Sequence, residues 1–321
     1  MIAFIFPGQA SQTVGMGKAL ADAFPEARQV FAEADAAFDT SADAARGRSL
    51  SDIVWNGPDE QLRLTEIQQP GILAVSVAAH RVLAAQGLLP SFVAGHSLGE
   101  YSANVAAGTF QFDDAVRIVQ RRGRYMQEAV PVGEGAMAAI LGADLETVRH
   151  ACAEAAEGEV VSPANNNCPG QIVIAGAAGA VARASVRAKA LGAKRALPLP
   201  VSAPFHSALM LPAEARLEPE LRDLDVQAPR MPIVANVDAN PKREAWSAID
   251  ALVRQVSAPV LWEQVIRRLA SEGVNTYVEV GPGTVLSGLV KKTHKDAHII
   301  HFGSPEDLGA VLTACSISAE K

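Results

Sequence analysis

Apolar and polar positions along the chain follow two alternating rhythms. Short β-like runs at 3–6, 92–95, 233–236 and 277–280 are separated by longer, alanine-rich stretches with helical spacing. Strands alternating with helices predict an α/β fold built on a mainly parallel sheet. Between about 135 and 200 the rhythm changes. A strand at 135–141 is followed by a helix opened by Asp144, two strands meeting across 165–170, a helix from Ala177 and a strand from Arg195. That βαββαβ order is the ferredoxin-like arrangement. It predicts a small domain, 131–200, inserted into a larger one made of 1–130 and 201–321. A terminal helix is expected after Ser304.

Composition narrows the picture modestly. A chain of 321 residues that is 49% hydrophobic can supply a sizeable core. Its first residues are apolar but lack a basic lead-in and are interrupted by Pro7-Gly8, so they read as an opening strand, neither a signal peptide nor a membrane span. The cysteines Cys152, Cys168 and Cys315 are odd in number and have no metal-like spacing, so neither a disulfide framework nor a metal site is suggested. A cytoplasmic protein is expected. The net charge of −7 gives no general attraction to nucleic acid or anionic membrane. An acidic partner must therefore be met by a local basic patch.

Chemistry enters at Gly95-His96-Ser97-Leu98-Gly99, a G-x-S-x-G match that follows an apolar run and precedes a helix-like stretch ended by Gly108. Glycines two positions either side permit a tight turn, leaving the Ser97 hydroxyl exposed at a helix N-terminus, where amide N–H groups favour developing negative charge. The bland alternative is a Gly-Ser turn that merely caps a helix. A serine hydroxyl needs an adjacent base. Of seven histidines, His80 and His150 fall in helical stretches, and His294, His298 and His301 lie in a C-terminal segment without a motif. His96 points away from Ser97 if the turn is tight. His206, after Pro204 in a loop where the chain re-enters the large domain, is the better candidate, although a lone loop histidine is often only solvated.

The helical stretch after Asp113-Asp114 separates its arginines by face. Arg117, Arg121 and Arg124 share one face and read as a solvated stripe, whereas Arg122 leaves among Ile118, Val119, Tyr125 and Met126. An unpaired guanidinium on an apolar face costs on the order of several kcal/mol. Arg122 therefore predicts a partner, either a structural carboxylate or a ligand anion, and beside an acyl-transfer serine the ligand is preferred.

These residues, together with Phe6-Pro7-Gly8-Gln9, Ser11-Gln12, Arg122-Gly123, Met126-Gln127-Glu128-Ala129, the 165–171 segment, the His206 loop and Glu279-Val280-Gly281-Pro282-Gly283, resemble the malonyl-CoA:acyl-carrier-protein transacylases over essentially the whole chain. The resemblance implies an α/β-hydrolase-like core with a ferredoxin-like insertion. It implies that Ser97 carries the acyl group, that His206 is its base, and that Arg122 holds the malonyl carboxylate. Gln9 and the Leu98 N–H would form the oxyanion hole, the Gln255 main-chain carbonyl would orient His206, and Asn165 and Phe205 would line the acyl site. Malonyl-CoA and coenzyme A would be bound as substrate and product, no cofactor would be needed, an acyl carrier protein would be the partner, and a monomer is expected. Lys189, Lys194, Arg195, Lys291 and Lys292 are candidates for docking the acidic carrier. Two departures stand out: Ala10 replaces the glycine of many members, and the loop reads Ala203-Pro204-Phe205-His206 where relatives vary, beside the acyl pocket, where Phe205 would crowd an α-methyl branch and is compatible with malonyl. A serine esterase or thioesterase shares the elbow but leaves Arg122 without a job. A docking module without catalysis would not need Ser97 and His206.

Overall fold

In β1 (Ile2–Phe6) Ala3 and Ile5 join one buried cluster and Phe4 and Phe6 another, and in β2 (Phe92–Gly95) Phe92 and Ala94 join the first while Val93 joins the second. Strands apolar on both faces need cover on both, the requirement of a parallel sheet between helical layers. The computed structural model describes residues 1–201 and 203–319. Ser202 of the predicted His206 loop and positions 320–321 of the predicted terminal helix lie outside the described residues.

Further along the chain come β3 (Gly135–Leu141), β4 (Val161–Cys168), β5 (Gln171–Ala177), β6 (Arg195–Pro198), β7 (Ile233–Val234), β8 (Pro241–Lys242), β9 (Thr276–Val280) and β10 (His298–Phe302). A six-stranded sheet has the order β10-β9-β1-β2-β7-β8, parallel in every pairing except β7 with β8. The mainly parallel α/β reading therefore holds. The strand expected over 233–236 stops at Val234 because Asn236 leaves the ladder: its N–H donates to Glu100 Oε2 at 3.0 Å.

The segment from 135 to 200 contains every predicted element in the predicted order, and its four strands form a separate antiparallel sheet, β4-β5-β3-β6. Asp144 caps the helix Leu145–Ala155 by accepting from the Thr147 N–H at 2.8 Å. This helix and Ala178–Ala190 cover one face of the sheet, where Ile140, Val148, Ile174 and Val181 form a core of their own. Alternate residues Met137, Val173 and Ala175 belong to the main core instead, as the two-residue period of a strand requires. After Ser304 a 3₁₀ turn leads into the helix Leu308–Ala319. Among the described residues no helix is long and apolar enough to cross a membrane.

Candidate active site

The elbow between β2 and the helix Gly99–Ala107 is built by close backbone approach. A Cβ on Gly95 would lie 1.9 Å from the Gly99 carbonyl, and one on Gly99 would lie 2.0 Å from Phe6 O, so no side chain fits at either position. Ser97 between them is held at φ 50°, a left-handed conformation costing a non-glycine residue about 1–2 kcal/mol. Asn236 sustains it, accepting from the Ser97 N–H through Oδ1 at 2.7 Å and donating from Nδ2 to Gly95 O at 2.7 Å.

His206, also left-handed at φ 58°, places Nε2 2.7 Å from Ser97 Oγ. Its Nδ1 donates to the Gln255 main-chain carbonyl at 2.9 Å. That bond assigns the tautomer: the proton sits on Nδ1 and the Nε2 lone pair accepts from the serine. Burial, reinforced by the charge of Arg122, pushes His206 down to about 3. The imidazole is therefore an unprotonated acceptor at neutral pH. His96 turns the other way, its Nε2 2.8 Å from Asn167 Oδ1 and its ring edge against Trp262.

Arg122 is fully buried. Its helix, Phe112–Glu128, starts three residues before the expected 115, so that Asp113 and Asp114 occupy the first turn, where the helix dipole favours them. Gly123 lets this helix close on Thr65–Ala85, since a Cβ there would lie 2.5 Å from Thr65 O. The approach brings Gln69 to the guanidinium: Nη1 donates to Gln69 Oε1 at 2.7 Å, and Nη2 donates to Gln255 Oε1 at 2.9 Å and to Ser97 Oγ at 3.2 Å. The Tyr101 ring lies 5.3 Å away. Every one of these oxygens is neutral, and among the described residues no carboxylate forms an ion pair with Arg122. By contrast Arg117 pairs with Asp113 and Asp114, and Arg121 with Glu220, on the exposed face as the spacing predicts.

The other predicted residues are placed with differing directness. Gln255 contributes its carbonyl as expected and also its side chain. Leu98 is the N-cap of Gly99–Ala107, so its N–H opens the first turn beside Ser97. Phe205 is buried next to His206. Gln9 donates from Nε2 to Gln68 Oε1 at 2.5 Å, and Ala10 beside it is held at φ 75°, the conformation that favours glycine. Asn165 pairs through its backbone with Val260, and it is Asn167, two residues on, that reaches the elbow. Sequence reading missed Asn236, Gln69 and Glu100 as site residues. Their amide and carboxyl types were the only clue, because the contacts join positions up to 155 apart in sequence.

The chain matches the family model for the acyl transferase domain over residues 3–305. It is 49% identical to the malonyl CoA-acyl carrier protein transacylase of Escherichia coli (strain K12), covering 97% of this chain and 98% of that protein. A crystal structure of an acyl carrier protein S-malonyltransferase from Vibrio cholerae superposes with a TM-score of 0.92 at 46% identity, over 97% of this chain and 99% of that one. A malonyl-transacylase solved in complex with its type II PKS acyl-carrier protein superposes with the same score at 45% identity, over 98% of this chain and 99% of the other.

Proposed function

The chain belongs to the acyl transferase family and, within it, to the malonyl CoA-acyl carrier protein transacylases, and we infer that it moves a malonyl group from malonyl-CoA to the phosphopantetheine thiol of an acyl carrier protein through a malonyl ester on Ser97, supplying fatty acid or polyketide chain elongation. The observation that carries the reading is a buried guanidinium whose hydrogen-bond acceptors among the described residues are all neutral, 3.2 Å from the reactive hydroxyl. A desolvated cation in need of an anion, so close to the nucleophile, suits a short diacid held at both ends.

His206 Nε2 takes the Ser97 proton as Oγ attacks the thioester carbonyl. The tetrahedral oxyanion accepts from the Leu98 N–H and from Gln9 Nε2, whose amide carries two N–H bonds and commits one to Gln68. Collapse breaks the C–S bond, and the proton on His206 passes to the departing thiolate of coenzyme A. In the second half the carrier thiol gives its proton to His206 and attacks the malonyl ester, and Ser97 recovers the proton as it leaves. Arg122 holds the malonyl carboxylate throughout, the Gln255 carbonyl keeps the imidazole in its accepting tautomer, and Asn165 and Phe205 border the acyl pocket. No cofactor enters these steps. A serine hydrolase would not need a charged arginine buried at its nucleophile.

In the same reading residues 1–130 and 201–321 form an α/β-hydrolase-like core and 131–200 a ferredoxin-like insertion, and the protein acts as a cytoplasmic monomer. Lys292 donates to Gln171, Gln171 lies opposite Leu141, and Leu141 lies opposite Arg195, while Lys194 packs on Gly142. These cations converge on one end of the four-stranded sheet and offer the acidic carrier a docking surface, with Lys189 and Lys291 as further candidates. Incubation with mixed acyl-CoAs followed by intact-mass measurement tests the whole reading: a malonyl adduct dominating over acetyl supports it, and an acetyl or absent adduct overturns it.

A further inference from the structure

Glu100 is almost completely buried one turn beyond the nucleophile, and the steps above do not use it. Its Oε2 accepts from Gln255 Nε2 at 2.8 Å and from the Asn236 N–H at 3.0 Å. The second N–H of Gln255 Nε2 goes to the Ser97 main-chain carbonyl at 2.9 Å. Both amide donors are thereby committed to acceptors that cannot donate when Glu100 is ionised, which turns the amide oxygen towards Arg122 Nη2. The same residue's main-chain carbonyl receives His206 Nδ1. Glu100 thus stands behind a single glutamine that touches both the guanidinium and the base.

We propose that Glu100 is a positioning residue for malonyl selection: by holding the Gln255 amide it aims that amide's oxygen at Arg122 and steadies the carbonyl that orients His206. The inference rests on the malonyl-transfer reading and deepens it. Burial pushes Glu100 up to about 7, opposed by the hydrogen bonds from Gln255 and Asn236. An acceptor oxygen is what the role requires, and glutamine at position 100 can still supply one. A part confined to supporting the elbow would slow transfer of every acyl group in proportion and leave selectivity alone.

The test compares kcat/KM for malonyl and acetyl transfer in wild type, Glu100→Ala, Glu100→Gln and Gln255→Met, with folding followed by circular dichroism. Glu100→Ala and Gln255→Met should each shrink the malonyl-to-acetyl ratio about tenfold, the weight of one well-aimed hydrogen bond to a charged group. Glu100→Gln should restore the ratio to within about threefold of wild type, and Glu100→Ala should add little in the Gln255→Met background, because both break one relay. If Glu100→Ala does not fold, Glu100→Met, which fills the volume without an acceptor, takes its place. A wild-type ratio in a folded Glu100→Ala or Glu100→Met protein, or full additivity with Gln255→Met, overturns the proposal. Wild type with no malonyl preference would instead sink the parent reading.

Discussion

The two sheets handle polar residues in opposite ways. The central strands β1, β2 and β9 of the six-stranded sheet are buried on both faces, and the polar residues that build the site lie just beyond the strand ends, where Ser97 and Asn236 follow β2 and β7. The four-stranded sheet shares its apolar residues between its own core and the main one, and its described hydrogen bond to the elbow comes from Asn167 near the end of β4. A parallel sheet gathers loops at one edge between two helical layers, so groups placed there are both close and dry. In the antiparallel sheet neighbouring strands end at opposite edges, so its connections divide between the two. The difference teaches that the chemistry should reside in the large sheet, with the small one limited to closing the site and meeting partners.

The strongest way to break this contrast is to remove the nucleophile. Ser97→Ala should abolish the malonyl adduct in intact-mass measurement and lower transfer at least about 10³-fold; a persisting adduct would move the nucleophile elsewhere. Next comes the clamp. Arg122→Ala should cut the preference for malonyl over acetyl about ten- to a hundredfold in competing-substrate kinetics, from a charged hydrogen bond of roughly 1.5–3 kcal/mol.

A pH series sharpens the same side of the comparison. His206 is held at about 3 by burial and, after it, by the facing charge of Arg122. Its native pKa lies below the ordinary 6.5, so the unfolded chain binds the extra proton first: the contribution to stability is fully present above about 6.5 and is lost as pH falls towards 3. The base itself stays unprotonated over that window. In Glu100→Gln, which removes the other buried group of the site that titrates near 7, malonyl kcat/KM should therefore show no inflection near 6.5 on the acid side, and a histidine-like limb there would contradict the buried-base geometry.

Smaller effects lie at the other sheet and at the basic end where Lys292, from the helix Val285–Thr293, meets it through Gln171. Asn167→Ala removes the bond to His96 and should lower stability by about 1 kcal/mol, with a few-fold loss of transfer, by thermal midpoint and kinetics. Lys292→Glu should raise the carrier-protein KM a few-fold and leave the malonyl-CoA half-reaction unchanged, as expected of an exposed charge that acts on encounter. A larger loss of the first half-reaction from Lys292→Glu than from Arg122→Ala would reverse the division of labour.

Local pattern was sufficient for much of this molecule. The strand periods at 3–6 and 92–95, the βαββαβ order from 135 to 200, the elbow glycines and the inward face of Arg122 were all legible because each depends on neighbours within a few residues. Only tertiary structure could decide what meets Arg122: helix packing permitted by Gly123 brings Gln69 to it, and Gln255 arrives from a helix more than a hundred residues away. Tertiary structure likewise cut the strand at 233–236 short, since Asn236 serves Glu100 and Ser97 in place of the ladder. Periodicity records which side of an element is apolar, whereas the identity of the group across a buried contact is set by how separate elements pack.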